Sequence, residues 1–243
     1  MTGFFKIFKR IPTFIWLSVL SGICIGTSYI PFNGWALLFS YIPLWIAALK
    51  LYQANQSYKK IFFAGWMTQF ILTLIGFNWI YYMAIEFGHL PGPLASATLI
   101  LYAAAMHIYI PLSLVFGIWI IKRFHIAATH AQFLFLALAL ALLERAWPSI
   151  FEWNLAYTLL WIQFPLYQWA DVVGFWGLST WLLIFQALLG SALVLYQTNK
   201  QRSIFSMASI LTVIGALSIS GAYKGKAWAA TDSVVKIGVA QGN

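Results

Sequence analysis

Long runs of apolar residues, separated by short polar segments, occupy most of the chain. A helix needs about 20 predominantly apolar residues to cross the roughly 30 Å hydrocarbon core of a bilayer. Seven runs approach that length, at residues 11–30, 34–52, 61–83, 93–121, 126–144, 174–197 and 203–223. The pattern predicts an all-α integral membrane protein with about seven transmembrane helices, whose polytopic membrane domain covers residues 1–223.

The helical pattern is interrupted in three places. The fourth run is long enough either to tilt in the bilayer or to carry the kink that Pro111, inside it, would allow. Residues 145–173 are aromatic and broken by prolines and acids, which predicts a loop with a short interfacial helix. Near the end, Val235, Ile237 and Val239 alternate with smaller or polar residues, which is typical of a β-strand. Residues 224–243 are therefore predicted to be a linker and the first strand of a soluble domain.

Composition agrees with a membrane protein and narrows the possible chemistry. Hydrophobic residues make up 62% of the chain and charged residues 8%, whereas about a quarter of a soluble domain is charged. The single cysteine, Cys24, excludes an internal disulfide and a cysteine-rich metal cluster, and neither a metal nor a cofactor is expected. His107 and His130 are predicted to be packed residues that hydrogen-bond to a neighbouring helix. A transporter that moves protons or ions would carry more ionisable groups in its spans, so a transporter is the least favoured of the three function classes considered.

The distribution of charge predicts the topology. If the N-terminus is cytoplasmic, ten of the fourteen Lys and Arg residues lie inside, and the five acids lie outside or at that boundary. The inside set is Lys6, Lys9, Arg10, Lys50, Lys59, Lys60, Lys122, Arg123, Lys200 and Arg202. Seven crossings then place the C-terminus outside. Because the cations are divided among four short segments and form no single face, nucleic acid is not an expected partner.

The predicted outer side carries the candidate binding residues. Aromatic and charged side chains gather there, namely Trp79, Tyr81, Glu144, Arg145, Trp147 and Trp153. One interpretation is an aromatic belt at the level of the lipid headgroups. The other is a lipid-recognition surface on which Arg145 pairs with a phosphate.

A series of short motifs, spread over nearly the whole chain, resembles the membrane portion of apolipoprotein N-acyltransferase, a bacterial inner-membrane enzyme. The motifs occur in the order of that family. They are Pro31-Phe32-Asn33 with Trp35, Gly65-Trp66, Asn78-Trp79-Ile80-Tyr81, Phe87-Gly88, Pro91-Gly92-Pro93, Phe151 with Trp153, Gln168, the run from Gly174 to Ser179, and Val239-Ala240-Gln241-Gly242-Asn243.

The resemblance implies a multi-pass inner-membrane protein with a periplasmic nitrilase-like α/β domain inserted after the seventh span. Such an enzyme moves an acyl chain from a phospholipid donor to the diacylglyceryl-cysteine of a lipoprotein acceptor, through a thioester formed by a Glu-Lys-Cys set. By this resemblance, residues 234–240 are the first strand of a truncated nitrilase-like domain. None of the three catalytic residues maps onto this sequence, and Cys24 is not a substitute.

Two expectations follow for the chain by itself. It is expected to be inactive alone, and to be either an N-terminal fragment of a longer enzyme or the product of a split gene whose nitrilase-like domain is a separate partner. The alternative is a non-enzymatic membrane protein that binds lipid or a partner subunit through the same outer surface.

Overall fold

The computed structural model describes residues 12–148, 151 and 154–228, and these form helices joined by short turns. No strand occurs among the described residues, and the strand predicted at residues 234–240 lies outside them. The helices are α1 (Thr13–Gly26), α2 (Ile42–Gln53), α3 (Tyr58–Gly76), α4 (Trp79–Glu86), α5 (Gly92–Ala105), α6 (Tyr109–Arg123), α7 (Thr129–Ala146), α8 (Tyr157–Trp161), α9 (Ala170–Leu195) and α10 (Lys200–Trp228), with a 3₁₀ turn at Pro165–Trp169 between α8 and α9.

Four helical segments in the described part of the chain are long and apolar enough to cross a bilayer, and a bent pair of helices makes a fifth. The four are Gly92–Arg123, Thr129–Ala146, Pro165–Leu195 and Lys200–Lys226. The bent pair is α3 and α4. The remaining two predicted runs form α1, with 14 residues, and α2, with 12, which are shorter than the usual span. A helical membrane protein is therefore confirmed, while seven complete crossings stay a prediction.

The second predicted run differs most from the structure. It was expected to be helical from residue 34, but α2 begins only at Ile42, and residues 34–41 form a series of turns. Gln186 of α9 explains this difference, because its side chain binds two backbone groups of the turns. Its Nε2 donates to the Leu37 carbonyl at 2.8 Å, and its Oε1 accepts from the Tyr41 N–H at 2.7 Å. A buried amide in a distant helix thus replaces hydrogen bonds that a longer α2 would have made.

Of the two alternatives for the fourth run, a tilt or a kink allowed by Pro111, the structure shows a break in the helix just before this proline. The chain leaves the helix at residues 106–108 and resumes at Tyr109. A proline ring excludes the carbonyl four residues earlier, which here belongs to His107, so the break falls where the proline requires it. In the following loop, one short helix was expected between residues 145 and 173. The described part of that loop contains both α8 and the 3₁₀ turn. The helix α9 begins at Ala170 but is kinked at Gly174, whose φ of 67° and ψ of 171° are not helical, so its long regular part starts where the sixth run was predicted to start.

Glycines and buried polar side chains hold the helices close together. A Cβ on Gly65 of α3 would lie 2.6 Å from the Cα of Pro111, so these two helices touch through their backbones. Thr68 Oγ1 donates to the Ser18 carbonyl of α1 at 2.9 Å. His130 Nδ1 lies 2.6 Å from Ser191 Oγ of α9. The expectation that polar residues in these spans join neighbouring helices is confirmed.

Candidate functional site

Two interrupted helices meet at the candidate site. α3 and α4 are separated by Phe77 and Asn78 and bend by 56°. α5 and α6 are separated by residues 106–108. The two breaks lie side by side, since the ring centroids of Phe77 and His107 are 4.8 Å apart. Thr73 Oγ1 and His107 Nδ1 form a hydrogen bond of 2.8 Å, which ties α3 to the second break.

Aromatic rings surround the two breaks. The centroid of Phe77 lies 5.6 Å from that of Tyr29 and 5.8 Å from that of Tyr102. Phe151 meets Trp79 edge-on at 5.0 Å and lies 6.3 Å from Tyr102. We call Tyr29, Phe77, Trp79, Tyr102, His107 and Phe151 the aromatic cluster. Such ring contacts contribute about 0.5–1.5 kcal/mol each beyond the apolar area that they bury. Because Trp79 is 36% exposed, the cluster reaches the surface.

Three side chains donate hydrogen bonds to backbone carbonyls that the break between α5 and α6 leaves free. Gln69 Nε2 and Trp66 Nε1 both donate to the Ala104 oxygen, at 2.9 Å and 3.0 Å. Trp147 Nε1 donates to the Met106 oxygen at 3.0 Å. Within a bilayer a freed carbonyl has to find its donor inside the protein. These contacts therefore hold the break in one conformation.

Three of the six predicted site residues lie at or beside the cluster. Trp79 belongs to it, and Trp147 binds the break directly. Tyr81 packs α4 against the start of α5, since its hydroxyl lies 3.5 Å from the point where a Cβ on Gly92 would stand. Trp153 lies outside the described residues. The indole of Trp147 thus has a structural contact that the sequence pattern did not indicate.

Glu144 and Arg145 do not act together. Glu144 is 6% exposed, and its Oε1 has no hydrogen-bond partner within the described part of the chain. Arg145 is exposed, and its guanidinium carbon lies 5.3 Å from the ring centroid of Trp176 on α9. Among the described residues, the one ion pair within 4 Å joins Lys224 to Asp171. Glu144 is therefore buried while Arg145 is exposed, and no carboxylate among the described residues forms an ion pair with the Arg145 guanidinium.

Sequence reasoning missed most of the aromatic cluster. Phe77 and Tyr102 were not singled out, and Phe151 was noted only as part of a motif, because a single aromatic residue more often faces lipid or core than a ligand. Their common position follows from two helix breaks that meet only in the folded chain. His107 was noted as a packed residue, but its place beside Phe77 has no local signal.

An apolar cleft lies on the same predicted side of the membrane as the cluster. Its volume is about 190 Å³, and it is bordered by the turns before α2, by the segment from α8 to the 3₁₀ turn, and by Leu182 and Ile214. Trp35 on its rim is 57% exposed. The cleft accepts a hydrocarbon chain better than a polar ligand, because apolar side chains line it.

The described residues contain no group of three or more His, Cys, Asp or Glu that could hold a metal ion. Cys24 is a free thiol in α1 and is 3% exposed. A buried thiol without an adjacent base is a poor nucleophile. The apolar lining of the cleft and the exposed edge of the aromatic cluster suit the binding of apolar or amphiphilic ligands.

Comparison with known proteins identifies relatives of this chain. Residues 21–188 match the family model described as the apolipoprotein N-acyltransferase N-terminal domain. The chain is also 46% identical over 244 aligned positions to a protein named apolipoprotein N-acyltransferase from Bdellovibrio bacteriovorus. That alignment covers 100% of this chain and 44% of the relative, so the chain spans less than half of the relative's length.

Proposed function

Since the chain belongs to the apolipoprotein N-acyltransferase family, we propose that it is the membrane module of an enzyme that transfers an acyl chain from a phospholipid to the diacylglyceryl-cysteine of a lipoprotein. The module binds and orients the two lipid substrates. A nitrilase-like domain beyond residue 243 supplies the Glu-Lys-Cys set and carries the acyl chain as a thioester. Residues 224–243 are the linker to that domain and its first strand.

The proposed topology has seven crossings of the inner membrane, a cytoplasmic N-terminus and a periplasmic C-terminus. It is supported by the ten-to-four division of the basic residues and by the seven apolar segments of the chain. In this arrangement the aromatic cluster and the apolar cleft lie near the periplasmic surface, on the side of the catalytic domain.

One observation carries the proposed lipid-binding role, namely the exposed guanidinium of Arg145. A guanidinium binds a phosphate with two parallel hydrogen bonds, and here no carboxylate among the described residues lies within 4 Å to compete for it. Contact with Trp176 restricts the side chain at a membrane interface without neutralising its charge.

The six candidate residues have different proposed roles. Arg145 contacts the phosphate of the donor lipid, while Trp79, Tyr81 and Trp153 line the surface on which its glycerol and acyl chains lie. Trp147 acts through the break between α5 and α6, because its indole binds the Met106 carbonyl. Glu144 is buried and positions its helix rather than the lipid.

Arg145→Ala in a protein that carries its catalytic domain tests this role. Acyl transfer from a labelled phospholipid should fall more than the amount of folded protein does. Arg202→Ala is the matched control, because it removes an exposed arginine at the opposite predicted membrane face. If Arg145→Ala lowered activity and abundance equally, the six candidate residues would be better explained as an aromatic belt that only anchors the helices.

A further inference from the structure

A second surface runs along α6, from Leu112 near its start to Lys122 and Arg123 at its C-terminal end. There the side chains of Tyr58 and Trp119 border two adjoining depressions. One is an apolar groove of about 550 Å³ along α6. The other is a depression of about 410 Å³, which Lys122, Arg123 and His125 also line. Because the two share residues, they form one continuous feature, with an apolar part and a basic end.

The apolar part follows one face of α6. Leu112, Val115, Phe116 and Trp119 recur at intervals of three and four residues, which places them on the same side of the helix. From Leu112 to Lys122 the helix rises by about 15 Å at 1.5 Å per residue. This is half of the roughly 30 Å hydrocarbon core, so the groove has the length of one leaflet.

No acidic side chain in the described part of the chain forms an ion pair with the basic end. Lys122 Nζ lies 6.0 Å from the ring centroid of Tyr58, and the Arg123 guanidinium lies 5.8 Å from that of Phe124. The ion pair formed among the described residues, Lys224 with Asp171, does not include either cation. Both side chains are exposed. Two cations without a carboxylate, placed where an apolar groove ends, complement the phosphate of a lipid whose acyl chain lies in the groove.

We infer that this feature binds one anionic glycerophospholipid, with its phosphate at Lys122 and Arg123 and an acyl chain along α6 as far as Leu112. The headgroup carries a net negative charge, as in phosphatidylglycerol. The inference does not depend on the proposed acyl transfer, because Lys122 and Arg123, which hold the phosphate, lie at the opposite end of α6 from the break beside the aromatic cluster. It also goes beyond the ordinary topological role of basic residues, which requires no groove.

The test is lipid binding to the full chain in detergent micelles, followed by native mass spectrometry with phosphatidylglycerol and with phosphatidylcholine of the same acyl chains. Phosphatidylglycerol should be retained in preference. Lys122→Gln combined with Arg123→Gln should weaken its binding about thirty-fold, because each basic residue near a membrane surface contributes about 1 kcal/mol and 1.4 kcal/mol corresponds to a tenfold change. Binding of phosphatidylcholine should weaken much less, because its choline cation already offsets the phosphate charge that the two basic side chains meet.

Two further variants separate the parts of the site. Leu112→Trp fills the groove and keeps both cations, so it should weaken the binding of both lipids. Lys200→Gln combined with Arg202→Gln is the charge-matched control, at the start of α10 and away from the groove, and should leave binding unchanged. Circular dichroism checks that each variant is folded.

Three results would overturn the inference. Equal retention of the two lipids would remove the headgroup preference. If the control variant at residues 200 and 202 lost as much phosphatidylglycerol binding as the variant at 122 and 123, the lipid would be responding to the net charge of the protein and not to this site. Displacement of phosphatidylglycerol by millimolar inorganic phosphate, with Leu112→Trp without effect, would show an anion site that does not use the groove.

Discussion

The indole of Trp147 can be tested as a clamp on the broken span. Trp147→Phe keeps a large ring at the same position and removes only the N–H that donates to the Met106 oxygen at 3.0 Å. No other donor to this oxygen is found within the described part of the chain. By contrast, the neighbouring Ala104 oxygen accepts from both Trp66 and Gln69, so the loss of either donor there is partly compensated.

The expected cost follows from this difference. Hydrogen bonds between helices in membrane proteins contribute about 0.6 kcal/mol on average and up to about 1.7. Trp147 and Met106 are both partly buried, and water replaces the donor poorly there. We therefore expect Trp147→Phe to lower the free energy of unfolding by about 1 kcal/mol. An aromatic-belt role predicts almost no change, because phenylalanine also partitions into the interface.

The assay is equilibrium unfolding in mixed micelles with increasing denaturing detergent, followed by far-UV circular dichroism. Trp119→Phe is the matched control, because Trp119 is exposed on α6, stacks on Phe116, and its indole makes no hydrogen bond among the described residues. If the two variants lose the same amount, or if Trp147→Phe loses less than about 0.3 kcal/mol, Trp147 does not clamp the break.

Two other substitutions test the packing of the fold. Gly65→Val should lower the free energy of unfolding by about 1–3 kcal/mol, because even its Cβ would lie 2.6 Å from the Pro111 Cα. Its control is Gly215→Ala, whose Cβ would meet nothing within 4 Å and which should be neutral or slightly stabilising in the same unfolding assay. Gln186→Leu should cost at least about 2 kcal/mol, since it strands two backbone groups in the turns before α2. The exposed Gln56→Leu is its control, and comparable losses in the two would contradict the anchoring role.

Local physics made part of the fold predictable. The apolar runs gave the positions of the helices because lipid requires a continuous hydrogen-bonded segment. The break before Pro111 was predictable for the same reason, since the ring of a proline acts on its own preceding turn. The start of α2 was not, because residues 34–41 are as apolar as a helix and their turns are held by Gln186, about 150 positions further along the chain.

Part of the candidate site was likewise predictable from local sequence, and part was not. Trp79 and Trp147 were found by composition, since indoles collect at membrane interfaces. Glu144 and Arg145 are neighbours in sequence, but their different burial could not be predicted from the sequence. Successive side chains on a helix point about 100° apart, so one of them enters the core while the other faces outward. The aromatic cluster required two helix breaks to meet, and no single window of sequence contains that information.

The central claim is that this chain is a lipid-binding module that needs a catalytic domain. Two proteins test it: the 243-residue chain alone, and a chimera in which the part of the Bdellovibrio relative beyond the matched 44% follows Asn243. Both are purified and incubated with a phospholipid labelled in its acyl chain.

The measurement is the amount of hydroxylamine-sensitive acyl label on each protein, which reports a thioester. We predict label on the chimera and none on the chain alone, where Cys24 is buried and has no adjacent base. A thioester on Cys24 of the chain alone, or a folded chimera that stays unlabelled, would contradict the account.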